Sequence, residues 1–330
     1  AAAGLAGLAF RPASAAVTGI AARRADLASP KGQRLVIVGG GWSGLTIAKY
    51  VKLAAPELDV VLVEKRASFV SHPLSNLMLA GLVGIDSLRR SYSDGAARGN
   101  YTYIQAALAE ADFTARRVFT DKGFIDYDFL VIAPGVEYDY ASFGITDPAE
   151  IQLLERRYPG GFVSPDEHLI IKRKVDAFEG GAFVLTAPPG IFRCSASPYE
   201  RACMIASVFK RKKLAAKVIL IDSRDAPAVK AEGFLAAFEE LYGDHIEYIN
   251  STVIEGIDAP ARTIKTDFDD IKFGDGAIYP RIRASRLIEK LGLANAGSPQ
   301  KEARIDPFKY NVIGDERVYI TGDCRPMPFS

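Results

Sequence analysis

Apolar residues in this chain fall in short unbroken runs. Residues 34–38 (Arg-Leu-Val-Ile-Val), 59–64 (Asp-Val-Val-Leu-Val-Glu) and 129–133 (Phe-Leu-Val-Ile-Ala) are such runs, the pattern of strands buried on both faces of a parallel sheet. Between the first two, residues 45–53 contain neither Pro nor Gly and predict a helix, which makes a βαβ unit. The alternation then repeats. Residues 182–186 predict a strand, 199–212 a helix closing on a basic turn, and 217–222 another strand. Residues 317–321 form a last short apolar run that stops at Gly322-Asp323. The pattern predicts an α/β chain with two Rossmann-like dinucleotide-binding units. The expected division is a lead-in over 1–33, a first unit over 34–143, a second over 144–270, and a return to the first over 271–330.

Length supports two units, because 330 residues exceed the size at which one core usually stops growing. Lys+Arg 41 against Asp+Glu 40 leaves a net charge of +1, which removes nucleic acid as an expected partner. The three cysteines, Cys194, Cys203 and Cys324, and the three histidines stand at no metal-ligand spacing, so no metal site is expected. Residue 1 is Ala, and both ends read as truncated. The small apolar opening, followed by Arg11-Pro12 and Ala13-Ser14-Ala15, has the form of an export-signal remnant. Export to the periplasm by the twin-arginine route is the expectation, and a disordered Ala-rich terminus is the alternative. The opening run of about ten residues falls well short of the roughly twenty a membrane-spanning helix needs, so no span is expected.

The chemistry begins at Gly39-Gly40-Gly41-Trp42-Ser43-Gly44. A glycine pattern alone is weak evidence, but this one follows a predicted strand, opens a predicted helix, and precedes Glu64-Lys65 at the end of the next strand. Gly39 serves the tight turn, Gly41 the approach of backbone to a pyrophosphate, and Gly44 the packing of helix on strand. Amides at the helix start, including those of Trp42 and Ser43, would face the phosphates. Glu64 can accept from ribose hydroxyls and would repel a 2′-phosphate, which disfavours NADP. These features leave NAD and FAD both open.

Two further segments separate them by resemblance. Tyr127-Asp128-Phe129-Leu130-Val131-Ile132-Ala133-Pro134-Gly135 resembles the second FAD motif of glutathione-reductase-like flavoproteins, and Val318-Tyr319-Ile320-Thr321-Gly322-Asp323 resembles their third. The resemblance implies FAD, with Ala133, Pro134, Gly135, Gly322 and Asp323 among its contacts and Asp323 on the ribityl chain. Over residues 34–327 the chain also resembles the flavoprotein subunit of flavocytochrome c sulfide dehydrogenase, a relative of sulfide:quinone oxidoreductase. The diagnostic stretch runs from Pro188 through Arg193-Cys194-Ser195-Ala196-Ser197-Pro198-Tyr199-Glu200 to Cys203. Where a pyridine-nucleotide enzyme would carry a second glycine fingerprint, this turn carries Cys, Pro and Tyr, so the second unit is expected to have lost its nucleotide.

That family implies a flavin-facing redox disulfide that includes Cys194, attacked by sulfide, with Glu200 as acid/base and a cytochrome c subunit as electron acceptor. Lying near a helix start, Cys194 is expected to favour the thiolate. An inert loop thiol, with Glu200 as a helix N-terminal charge, is the plain alternative. Two departures stand out. The family's second redox Cys has no counterpart at Asn295-Ala296-Gly297-Ser298-Pro299, leaving Cys324 or Cys203 as substitutes. The family's flavin-tethering Cys is replaced by His72, in Val70-Ser71-His72-Pro73-Leu74-Ser75-Asn76, so FAD is expected to be held non-covalently with His72 a plain loop residue, and a histidyl link to FAD is the alternative. The expected function is oxidation of sulfide or another small reduced-sulfur compound. Alternatives are an NAD(P)H- or quinone-linked flavin reductase and a non-catalytic FAD-binding scaffold for a cytochrome or sulfur-carrier partner.

Overall fold

In the computed structural model, which describes residues 23–326, the apolar runs form two parallel sheets; the export-signal reading lies outside these residues. The first unit opens with β1 (Arg34–Val38), buried along its whole length, then α1 (Trp42–Ala54) and β2 (Asp59–Glu64). Short helices α2 (Ser75–Leu79) and α3 (Tyr92–Gly99) precede β3 (Thr102–Gln105) and β4 (Phe129–Ile132). The chain leaves this unit through β5 (Val136–Asp139). In the second unit α4 (Pro165–Ala177) is followed by β6 (Gly181–Thr186), α5 (Ser197–Lys212), β7 (Ala216–Ile221), β8 (Ile246–Ile249) and β9 (Asp275–Ala277). Return is through β10 (Arg281–Ala284), and β11 (Val318–Ile320) completes the first sheet.

The first sheet has the order β11-β4-β1-β2-β3 and the second β8-β7-β6-β9. The outgoing and returning strands β5 and β10 pair antiparallel, Val136 opposite Ala284 and Asp139 opposite Arg281, so both crossings run side by side. Because β9 pairs with β6, the second sheet extends past residue 270, where return to the first unit was expected. A short strand of Asp-Gly-Ala lacks the apolar run that would have marked it. Helix α5 starts at Ser197, with Pro198 in its first turn, and ends on Lys210, Arg211 and Lys212 before a left-handed Lys213, the charge order its dipole favours. Its inner face buries Tyr199, Ile205 and Phe209 against Phe183 of β6 and Leu79 of α2. Each such side chain contributes about 1.5–3 kcal/mol, and the packing carries α2, a first-unit segment, onto the second unit.

Candidate functional site

The three glycine-bearing segments meet at the C-terminal ends of β1, β4 and β11. Gly39 donates to Val63 O at 2.9 Å, Ala133 donates to Val38 O at 2.8 Å, and Thr321 donates to Ile132 O at 3.2 Å. Ser43 Oγ bonds Thr321 Oγ1 at 3.0 Å, which ties the first segment to the third. Gly39 has φ +103°, and a Cβ there would lie 2.2 Å from Ala133 O; a Cβ at Gly44 would lie 1.9 Å from Gly39 O. Gly41 is different, since a Cβ there meets nothing within 4 Å. It opens α1 without a side-chain cap and with no acidic residue in the first turn, leaving the helix's positive end to an anion.

A cavity of about 870 Å³ lies over this junction. Gly39, Gly41, Trp42, Ser43, Glu64, Lys65, Ala133, Pro134, Gly135, Gly322 and Asp323 all line it, and Cys194 lines it from the second unit. Gly44 lies beneath, in the helix–strand contact. Glu64 is buried; its carboxylate accepts from the Gly40 amide at 2.8 Å and the Arg66 amide at 3.0 Å. Burial pushes the Asp323 carboxyl up, against Arg193 and Arg325, which pull it down. These residues fit a dinucleotide such as FAD: a Cβ at Gly41, at the uncapped helix start, or at Gly135 would enter open space, and the carboxylates of Glu64 and Asp323 both line the cavity.

Cys194 occupies the turn between β6 and α5 in a left-handed conformation, φ +56°, which costs a side-chain-bearing residue about 1–2 kcal/mol. Its carbonyl accepts from the Ser197 amide at 2.9 Å. The expected thiolate is not favoured: although Cys194 reaches solvent, the protein around it pushes the thiol up, outweighing the Ser197 hydroxyl bond that pulls it down, with Glu200 also raising it and Arg201 lowering it. Three residues before Ser197 is too far out for the helix start to prevail. Glu200 does not line the cavity. Half-buried, it accepts from Asn76 Nδ2 at 2.7 Å, and the same amide reaches Ser197 Oγ at 3.1 Å.

Neither substitute for the second redox cysteine reaches the site. Cys324, expected to be catalytic, is wholly buried in the first-unit core with Val36, Leu130 and Ile320, and its thiol donates to Thr321 O at 3.3 Å. Successive residues of the turn face opposite ways, so Asp323 reaches the cavity and Cys324 the core. Cys203 packs within the second-unit core, where burial pushes its thiol up to about 11. His72 lines the cavity, and its ring meets that of buried His168 edge-on at 4.7 Å.

The second unit's own crevice is filled by protein. Asp222, at the end of β7, is wholly buried and accepts from Tyr199 at 2.6 Å, Tyr248 at 3.1 Å and Arg224 Nη1 at 2.7 Å. Arg224 Nη2 donates to the carbonyls of Pro188, at 2.6 Å, and Gly190. Sequence reasoning missed Arg224 along with Tyr92, whose hydroxyl donates to Gly40 O at 2.7 Å. It also missed Phe162 and Tyr279, stacked at 3.8 Å in the cavity wall. A lone Arg after a strand and scattered aromatics carry no spacing signal. Among the described residues no helix is long and apolar enough to cross a membrane.

Comparison with known proteins gives a consistent family setting. Residues 168–277 match the family described as sulfide dehydrogenase (flavocytochrome c) flavoprotein chain, central. The sulfide dehydrogenase (flavocytochrome c) flavoprotein chain of Chlorobaculum thiosulfatiphilum is 46% identical over 44 residues, 13% of this chain and 92% of that sequence. The type II NADH:quinone oxidoreductase of Staphylococcus haemolyticus is 30% identical over 115 residues, 34% of this chain. That match spans 28% of the oxidoreductase's own length. In fold, the chain is similar to the sulfide:quinone oxidoreductase structure from Aquifex aeolicus, with a TM-score of 0.74 at 18% identity over 90% of this chain and 70% of that one.

Proposed function

The chain belongs to the FAD-dependent pyridine nucleotide-disulfide oxidoreductase superfamily, and from that premise we propose that it oxidises sulfide or another small reduced-sulfur compound and passes the electrons to a cytochrome c subunit. The observation that carries the reading is that Cys194 lines the same cavity as the three glycine-bearing segments. The filled second crevice adds to it, because a protein that took electrons from NAD(P)H would need that space for the nucleotide.

In this reading Gly41 and the α1 amides would hold the FAD pyrophosphate, Glu64 the adenosine ribose, and Asp323 the ribityl chain. Bound FAD supplies a two-electron acceptor that can give up its electrons singly. Conversion of HS⁻ to sulfane sulfur releases two electrons and one proton, which matches that capacity. The Cys194 thiol would have to lose its proton before its sulfur could act as a nucleophile, and joining that sulfur to HS⁻ would release two electrons, for which the oxidised flavin would be the acceptor. The Ser197 hydroxyl stabilises the resulting thiolate, and Asn76 holds that hydroxyl in place. Export to the periplasm belongs to the same proposal.

Anaerobic addition of sulfide to FAD-loaded full-length protein is expected to bleach the flavin, and Cys194→Ser to abolish the bleaching while FAD stays bound. Unbleached wild-type protein would falsify the reading. The match to type II NADH:quinone oxidoreductases favours a second reading, a nicotinamide- or quinone-linked flavin reductase, and rapid flavin reduction on mixing with NADH would support it. The core positions of Cys203 and Cys324 favour a non-catalytic scaffold instead, which Cys194→Ser would leave unaltered.

A further inference from the structure

We propose that Arg224 is a positioning residue for Cys194, filling the second unit's nucleotide crevice with a clamp on the turn that carries the thiol. The proposal rests on reading Cys194 as the reactive group. Arg224 Nη2 donates to two carbonyls of that turn, Pro188 O at 2.6 Å and Gly190 O, and its guanidinium lies 4.7 Å from the Phe192 ring centroid. Three contacts within five residues fix the strand-side half of the turn. The helix-side half is fixed separately, by the Ser197 amide on Cys194 O. Cys194 sits between these anchors in a left-handed conformation that an unsupported turn would not hold.

The clamp is itself anchored. Asp222 Oδ1 takes the Arg224 side chain at 2.7 Å and the Arg224 amide at 3.0 Å, while Oδ2 takes Tyr199 at 2.6 Å and Tyr248 at 3.1 Å. Four donors satisfy a buried carboxylate and leave it one orientation. An acidic residue at the end of the second strand is where a dinucleotide unit holds a ribose; here it holds a guanidinium. The planar fork of Arg reaches Asp222 with one nitrogen and the carbonyls with the other, which the single ammonium of Lys cannot reproduce.

The test is alkylation of Cys194 by iodoacetamide in full-length, FAD-loaded protein, followed by mass spectrometry across a pH series. Cys203 and Cys324, both buried, report on global unfolding in the same samples. Arg224→Ala is expected to raise the Cys194 rate at pH 7 at least about three-fold and to lower the pH midpoint of labelling, as the loosened turn carries the sulfur further into solvent. Arg224→Lys is expected to restore only part of the wild-type behaviour. Should Arg224→Ala not fold, Tyr248→Phe loosens Asp222 without touching the turn and is expected to move the midpoint the same way by less. An unchanged rate and midpoint in folded Arg224→Ala, or in Tyr248→Phe, overturns the clamp. Sulfide plays no part in the labelling, so failure of the clamp and failure of the sulfide reading are separate results.

Discussion

The turns after β1 and after β6 follow one plan, strand into glycine-bearing turn into helix, and end in opposite states. The first keeps Gly41 bare beside an open cavity. The second is packed from below by Arg224 and Asp222 and shows a cysteine to the cavity instead of backbone. The first turn's glycines act by what they leave out, Gly39 and Gly44 letting backbone approach backbone and Gly41 leaving the helix start bare, whereas the second turn carries side chains that fix one sulfur. One topology thus supplies both a cofactor seat and a thiol mount, facing each other over a single cavity.

Adding one methyl group to the first turn breaks that relation most severely. Gly39→Ala puts Cβ 2.2 Å from Ala133 O at φ +103°, a clash of Cβ with backbone that no rotamer relieves. The expected cost is about 3–5 kcal/mol, with loss of bound FAD. The ratio of flavin to protein absorbance and the thermal midpoint check it; a variant that keeps its flavin would show that the β1–β4 junction can separate without harm.

Acid should act next, through the ring pair that bridges the two units. Burial, with Arg66 and Arg201 adding to it, pushes His72 down from 6.5 to about 4. His168, both of whose ring nitrogens lack a hydrogen-bond partner among the described residues, is pushed the same way by burial, then by His72 and Arg201. The folded values lie below the unfolded ones, so the unfolded chain takes up protons first as pH falls. Stability is therefore complete above pH 6.5 and is lost progressively toward pH 4. Urea midpoints measured between those limits should fall, and fall less in His168→Phe; parallel slopes in the two proteins would remove His168 from the account.

How far these features were legible depended on whether neighbours along the chain or across space decide them. Strands β1 and β2 match their expected bounds because an unbroken apolar run has no other place to go. Helix α1 starts three residues earlier than expected, since Gly44 sits inside it to allow contact with Gly39, a tertiary demand that overrides propensity. The first glycine turn was readable because backbone geometry dictates residue type there. The second was only half readable: its lack of a fingerprint was visible, but Arg224, Tyr199 and Tyr248 reach Asp222 from separate places in the fold. Cys324 misled for a related reason, as adjacency to Asp323 says nothing about which face a side chain takes.

The smallest effect is expected from the same methyl group placed in the second turn. Gly190 has φ +73°, also left-handed, yet a Cβ there meets nothing within 4 Å. Its carbonyl, which accepts from Arg224, is retained in Gly190→Ala, so the clamp keeps both of its backbone contacts. What remains is the intrinsic cost of a left-handed alanine, about 1 kcal/mol, offset in part by the lower entropy of the unfolded chain. FAD content should be unaltered and the thermal midpoint should drop by only a few degrees, with Cys194 labelling close to wild type. A loss as large as that of Gly39→Ala would mean that the second turn, like the first, owes its shape to empty space, and the contrast between the two would fail.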